Sequence, residues 1–283
     1  MAVFYNQATL TYNGGVANSN IVSGEIVEAV TAAKTATPST YRAGEVITYV
    51  ISLFNGGSTA ASGLTVSDNL GAYVSGADTL VPLDYVDGSL RFFVNGALQA
   101  SPTVTAGDSL VISGIDLPAN SNAVLVYRAV ANGFAPLGVE SVITNTATVT
   151  GGGIINPVSV SETINSEDSA LLSINKAVSP STITENGRLT YTFVIENSGN
   201  TEASATDNLV VSDSFDPVLS SLAVTFEGVA WTEGTEYNYN ATTGEFTTVA
   251  GQITVPAATY STDASGAVIV TPGSVTLTVS GTV

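Results

Sequence analysis

The chain has 283 residues and a formal net charge of −18, from 24 acidic and 6 basic residues. Such an acidic protein is unsuited to nucleic acid or anionic membranes, since both recruit basic surfaces. It contains neither cysteine nor histidine, which excludes a disulfide framework, the usual zinc sites and histidine-based catalysis. We therefore predict no metal, no cofactor, no enzymatic activity and no nucleic-acid partner.

The composition predicts an all-β protein with two domains. Hydrophobic residues make up 44% of the chain, and valine and threonine are abundant while helix-favouring runs are few. The 27 glycines and 10 prolines are spread at turn-like intervals. No apolar run is long enough to cross a bilayer, and the N-terminus shows no basic segment before an apolar one. Neither membrane insertion nor a secretory signal peptide is predicted.

The first element is a predicted strand at residues 4–12, followed by Gly14-Gly15. Its sequence alternates, which is typical of a half-buried strand, but no neighbouring segment offers a hairpin partner. The face that carries the apolar side chains consists of Phe4, Asn6, Ala8, Leu10 and Tyr12. A near copy of this strand lies at residues 142–150, again followed by glycines.

Between these two copies the pattern is that of a β domain. Strands are predicted at residues 46–53, 64–68, 109–115 and 123–130. Asn95-Gly96 lies between two short apolar runs and is a two-residue hairpin signal. Residues 142–150 then close this first domain.

The second half of the chain repeats the first. Lys176 lies 142 residues after Lys34, and Asp213 lies 145 residues after Asp68. Between them, turn sequences and strand starts recur in the same order, which indicates two copies of one domain.

One strand is missing from the second copy. In the first domain the strand at 122–127 is followed by the closing strand, whereas the equivalent stretch at 273–279 runs to the end of the sequence. The predicted divisions are a donor strand at 1–15, a first domain at 16–153 and a second domain at 154–283. We expect the donor strand of one subunit to complete the second domain of its neighbour, by strand addition to an open sheet edge.

Several phrases of the sequence resemble one family, the bacterial surface repeat called domain of unknown function eleven. These phrases are Lys34-Thr35-Ala36, residues 44–49, Asn55-Gly56-Gly57, residues 66–70 and residues 143–147. The resemblance covers both halves and implies immunoglobulin-like β-sandwiches. The two-repeat chain also resembles subunits of the ribbon-like appendages on clostridial spores. Some family members look like fimbrial domains in which a lysine and an asparagine are joined beside a catalytic carboxylate.

The strand pattern points several polar side chains towards the core. By alternation, the amine of Lys176, the carboxylates of Asp68 and Asp213 and the carboxamide of Asn145 lie on the apolar faces of their strands. Burying such groups unpaired costs several kcal/mol. In a dry core a lysine loses its charge more readily. Its neutral amine can then attack an asparagine carbonyl that the carboxyl group polarises, so that ammonia leaves and an amide remains.

Two such crosslinks are predicted, one in each domain. The residues are Lys34, Asp68 and Asn145 within the first domain, and Lys176, Asp213 and the Asn6 of another subunit in the second. The aspartates promote the reaction. The competing interpretation is a buried Lys–Asp pair that is hydrogen-bonded to asparagine without any covalent bond. For the aspartates alone, a turn-capping role also competes.

The sequence thus predicts a structural subunit of a self-assembling extracellular fibre on a spore or cell surface. Its main partner is another copy of itself, since head-to-tail contacts do not close and generate a filament; a host or spore-surface protein is expected as an anchor. The alternative for residues 4–12 is a return to the chain's own domains, which leaves a monomer. The alternative function is an adhesin or surface-layer module that recognises glycan or protein, with Trp231 and the tyrosines at 237–239 as a sugar-binding patch.

Overall fold

The computed structural model describes residues 2–26 and 29–283. It confirms the predicted all-β class, because the regular structure in these ranges consists of antiparallel strands apart from a short 3-10 helix at Ala205–Asp207. No helix in this part of the chain is long and apolar enough to cross a membrane. The chain divides into two compact units. Unit 1 comprises the residues up to Phe134 together with Ile143–Ile164, and unit 2 comprises Ala135–Val142 and Asn165–Val283.

Unit 1 begins with a ribbon over residues 2–26, here called the N-terminal ribbon, which consists of two short two-stranded sheets. Its strands are β1 (Ala2–Asn6), β2 (Thr9–Tyr12), β3 (Gly15–Asn18) and β4 (Val22–Ile26). β1 pairs with β4 and β2 pairs with β3. The prediction of one strand without a hairpin partner is therefore wrong. The chain turns at Asn13-Gly14, with Gly14 at a φ of 130°, and residues 15–26 return alongside.

The remainder of unit 1 is an immunoglobulin-like sandwich of two sheets. Its strands are β5 (Val30–Thr37), β6 (Thr40–Tyr41), β7 (Val46–Asn55), β8 (Ala61–Asp68), β9 (Tyr73–Ser75), β10 (Asp78–Leu80), β11 (Leu83–Tyr85), β12 (Arg91–Val94), β13 (Ala97–Leu98), β14 (Thr103–Ala106), β15 (Leu110–Leu117), β16 (Ser121–Ala131), β17 (Val142–Thr150) and β18 (Val158–Ser166). One sheet has the order β13-β12-β16-β7-β5, with β11 also beside β16. The other has the order β14-β15-β8-β17-β18-β6.

Strict alternation in the long strands builds the core of unit 1. In β7, Ile47, Tyr49 and Ile51 are fully buried while the residues between them are not. This is the pattern expected of strands that bury one face. The predicted hairpin at Asn95-Gly96 is confirmed between β12 and β13, because both residues adopt the positive φ angles, 47° and 79°, that a tight hairpin turn requires.

Unit 2 repeats this arrangement with fewer strands in its second sheet. Its strands are β19 (Leu172–Ser179), β20 (Arg188–Asn197), β21 (Ser212–Ser214), β22 (Ser220–Phe226), β23 (Val229–Trp231), β24 (Tyr237–Tyr239), β25 (Glu245–Thr248), β26 (Thr259–Thr262), β27 (Val268–Thr271) and β28 (Gly273–Thr282). The larger sheet has the order β19-β20-β28-β22-β23, and the smaller has the order β21-β25-β24. Phe193, Phe215, Phe246 and Leu277 lie in the core between them.

The two units differ at one sheet edge. In unit 1, β8 is paired on both sides, with β15 and with β17. Its counterpart in unit 2, β21, is paired with β25 alone among the described strands. β21 is also only three residues long, against eight for β8. One long edge of β21 is therefore open to a further strand.

Candidate functional site

Three strands of unit 1 bring the predicted crosslinking residues together. β5 supplies Lys34, the end of β8 supplies Asp68 and the middle of β17 supplies Asn145, and all three residues are buried. The Nζ of Lys34 donates a hydrogen bond of 2.6 Å to Oδ2 of Asp68, and neither side chain is accessible to solvent. The predicted buried amine–carboxylate pair is therefore present.

Tyr127 on β16 connects this pair to the asparagine. Its hydroxyl donates to Oδ2 of Asp68 at 2.6 Å and accepts a hydrogen bond of 3.1 Å from Nδ2 of Asn145. Oδ1 of Asn145 is buried without a hydrogen-bond partner. Sequence reasoning missed Tyr127, although the alternation of its strand already placed it on the inward face.

Burial dominates the electrostatics of the cluster. It lowers the pKa of Lys34 to about 8, against the opposing attraction of Asp68. Burial also raises the pKa of Tyr127 well above its ordinary value, so its hydroxyl remains a proton donor. Asp68 has a turn-capping role as well, since its Oδ1 accepts a hydrogen bond from the backbone N–H of Leu70. The carboxylate therefore caps a turn and pairs with Lys34 at the same time, and its part in a crosslinking reaction stays a prediction.

Unit 2 carries the same pair in an open setting. The Nζ of Lys176 donates a hydrogen bond to Oδ2 of Asp213, but the two side chains are 40% and 18% exposed. The position of Tyr127 is taken by Val279, since the former pairs with Tyr49 and the latter with the equivalent Tyr191. Among the described residues, the second site therefore has no counterpart of the Tyr127 hydroxyl, and its lining includes no asparagine.

The opening lies where unit 1 has β17. It is an open groove, here called the acceptor groove, with a volume of about 320 Å³. The groove is lined by Ile174, Lys176, Phe193, Val210, Val211, Ser212 and Asp213. Beside it, Leu172, Ile174 and Val178 of β19 are 40%, 53% and 43% exposed. These apolar residues lie on the inward face of β19 and are exposed because none of the described strands covers them.

Aromatic rings surround the amine in this groove. The Nζ of Lys176 lies 4.6 Å from the ring centroid of Tyr191, 5.5 Å from that of Phe215 and 5.6 Å from that of Phe193. Three rings within about 6 Å of Nζ are close enough for cation–π contacts. In unit 1 the corresponding contact is to Tyr49, at 4.9 Å.

The predicted donor residues lie in the N-terminal ribbon with their side chains in solvent. Asn6 pairs with Val22 across the ribbon and is exposed. Phe4, Leu10 and Tyr12 are each more than half exposed, and Ala8 is exposed as well. Apolar side chains at this density on an unpacked ribbon mark a surface that is suited to burial in a partner.

The N-terminal ribbon matches the β17–β18 hairpin of unit 1. Asn6-Gln7-Ala8-Thr9 corresponds to Asn145-Thr146-Ala147-Thr148, and each segment is followed by glycines and a returning strand. Hydroxyl pairs join the two strands of the hairpin in unit 1, as between Thr146 and Ser161. In the ribbon, Thr9 donates in the same way to Asn18. The hairpin of β17 and β18 is part of a six-stranded sheet, whereas the N-terminal ribbon forms two-stranded sheets of its own among the described residues.

Other candidate chemistry is weakly supported. Within the described ranges, no group of three acidic side chains is arranged to hold a metal ion. Of the aromatic residues predicted as a sugar-binding patch, Tyr237 is buried in the core of unit 2. Trp231 stacks on Phe226 with ring centroids 5.1 Å apart, which accounts for its position through packing.

Comparison with known proteins identifies no family. No family model matches the chain, and no curated protein matches it, so the family resemblance stays a prediction. Among solved structures, the major pilin subunit BcpA of Bacillus cereus is 12% identical and has a TM-score of 0.37, with 96% of this chain and 73% of that chain covered. The pilus backbone protein RrgB of Streptococcus pneumoniae is 13% identical and has a TM-score of 0.34, with coverages of 86% and 55%.

The N-terminal domain of a Streptococcus gordonii adhesin is 14% identical and has a TM-score of 0.37. The match covers 48% of this chain and 32% of the adhesin chain. At these identities and TM-scores we infer nothing about function from any of the three.

Proposed function

We propose that this protein is a structural subunit of an extracellular fibre on a cell or spore surface. Copies join head to tail when the N-terminal ribbon of one fills the acceptor groove of the next. The observation that carries this proposal is the unpaired edge of β21, which lies beside an open apolar groove in the place that β17 takes in unit 1.

The pairing of β17 with β8 in unit 1 gives the expected alignment of the incoming ribbon with β21. Ala147 lies opposite Asp68 and Val149 lies opposite Val66. By equivalence, Ala8 of the incoming ribbon lies opposite Asp213, and Leu10 lies opposite Val211. The alternation that buries Ala147 and Val149 then buries Ala8 and Leu10.

The energetics favour this association. Burying Phe4, Ala8 and Leu10 contributes on the order of 5 kcal/mol before ordering costs, and the edge of β21 gains main-chain hydrogen bonds. Because the ribbon and the groove are different surfaces, the contact is heterologous and extends into a filament.

Covalent bonds then lock the fibre. Within unit 1, the amine of Lys34 attacks the carbonyl carbon of Asn145, Asp68 and Tyr127 hold the reacting groups, and ammonia leaves. At the junction, Lys176 reacts in the same way with Asn6 of the incoming ribbon. Both reactions are single turnovers driven by proximity.

Two neighbouring substitutions test the contact. Leu10→Asp places a charge at a position equivalent to Val149, which is fully buried, and we expect it to abolish filaments in electron micrographs, since burying an unpaired charge costs several kcal/mol. Thr11→Asp is the control, because the equivalent Thr150 is exposed. A monomer that binds glycan or protein and never polymerises would overturn the proposal in favour of an adhesin.

A further inference from the structure

The same lysine–aspartate pair is enclosed in one unit and open in the other. The side chains of Lys34 and Asp68 are 0% exposed, whereas those of Lys176 and Asp213 are 40% and 18% exposed. The supporting strands are equivalent, since Lys34 faces Ile51 and Lys176 faces Phe193 in matching registers. The difference therefore comes from the missing strand.

In unit 1 a single strand does two things. β17 brings the carboxamide of Asn145 into the cluster, and it also pairs with β8, which carries Asp68, in the sandwich where the Lys34–Asp68 pair is out of solvent. Burial is the largest cause of the lowered pKa of Lys34. One element thus supplies both the group to be attacked and the dry surroundings that make the amine a nucleophile.

From this difference we propose that crosslinking at Lys176 is switched on by assembly. The inference rests on the proposed function. In the free subunit the amine is held in solvent contact by Asp213 and the rings of Tyr191, Phe193 and Phe215, without an acceptor. Docking of the N-terminal ribbon delivers Asn6 and encloses the pair in the same movement. A subunit therefore folds with its unit 1 bond formed and keeps its junction site unreacted until a partner arrives.

The chemical step balances without any added reagent. The Nζ of Lys176 forms a bond to Cγ of Asn6, the bond from Cγ to Nδ2 breaks, and the nitrogen leaves as ammonia with the proton that the amine gives up. Asp213 is the group placed to carry that proton, since it already accepts the hydrogen bond of the amine.

The chain allows a clean test, because Lys34 and Lys176 are its only lysines. Each protein is treated with an amine-acylating ester, digested and read by mass spectrometry, with the N-terminal amine as an internal reference. The samples are wild-type filaments, the monomeric Leu10→Asp variant and filaments of Asn6→Ala, which retains the apolar contacts. Thr11→Asp serves as the matched control.

In the Leu10→Asp monomer, we expect Lys176 to be acylated and Lys34 to be protected, with the loss of one ammonia from the chain. In wild-type filaments, Lys176 is unlabelled even after denaturation, since it has become an amide. In Asn6→Ala filaments, Lys176 is protected while the filament is intact and is labelled once it is denatured.

The failures of the two proposals are distinguishable. If wild-type protein forms no filaments, the fibre proposal fails, and this inference fails with it because it rests on that proposal. If filaments form but their denatured Lys176 is still labelled, only the inference is overturned. It is also overturned if Lys176 of the Leu10→Asp monomer is already consumed, or if Lys176 in Asn6→Ala filaments is labelled as fast as in that monomer.

Discussion

The bond proposed inside unit 1 predicts a large and specific loss of stability in Asn145→Ala. The bond joins Lys34 to Asn145 and closes a loop of about 110 residues, which restricts the unfolded chain and stabilises the folded one by about 4.8 kcal/mol in the chain-entropy model. Truncation also removes the hydrogen bond from Nδ2 of Asn145 to Tyr127, a further cost of about 1–3 kcal/mol that the control below allows for. A loss of 4–5 kcal/mol corresponds to a fall in Tm of roughly 10–20 °C for a unit of this size.

The assay combines intact mass with thermal and urea unfolding. The parent protein here is the Leu10→Asp monomer, which is expected to lack one ammonia relative to its sequence. Asn145→Ala in the same background is expected to have its full mass. Asn55→Ala is the matched control, since Asn55 is another buried asparagine of unit 1, bonded to the carbonyls of Thr59, Leu117 and Pro118. It should lower stability by roughly 1–3 kcal/mol while keeping the missing ammonia.

Two results would refute the reasoning. An unmodified mass for the parent protein means that the cluster is only a buried hydrogen-bonded pair. If the parent protein lacks one ammonia but Asn145→Ala has the same Tm as the parent, the bond forms but does not constrain the unfolded chain.

The remaining predictions concern the chemistry of the two sites. The neutral amine of Lys34 is the nucleophile, so the rate of ammonia loss after refolding should rise as pH increases through about 8, the pKa of Lys34, and become level above it. A rate that falls through this pH would contradict a neutral amine as the attacking group. Tyr127→Phe removes the hydroxyl between Asp68 and Asn145. It should slow ammonia loss in a mass-spectrometric time course and lower the free energy of unfolding by about 1–3 kcal/mol. An unchanged rate would exclude a positioning role for Tyr127. Asp213→Ala should leave filaments visible by microscopy but remove the covalent multimers, which would otherwise run as a ladder on a gel after boiling in detergent. A persistent ladder would show that the aspartate is dispensable at the junction.

The sequence was sufficient for the features that depend on local pattern and on repetition. Alternation identified the strands, and Asn95-Gly96 identified its hairpin, because the side-chain period of a strand and the positive φ of a tight turn are written in neighbouring residues. The fixed spacing of the lysines and aspartates indicated equivalent positions, and alternation showed that they point inward. Alternation also put Asn145 on the inward face of its strand, so the three members of the cluster were predicted as buried groups, and their contacts came from the structure.

Only the tertiary structure decided which strands are neighbours, because strand pairing joins residues that are far apart in the chain. It showed that residues 2–12 pair with residues 15–26 in a ribbon. It placed the hydroxyl of Tyr127 between Asp68 and Asn145, a contact made across three strands. It also showed that the side chain of Lys34 is buried and that of Lys176 is exposed, although the two occupy the same repeat position. Burial depends on which strands are neighbours, and only the sandwich of Lys34 contains β17.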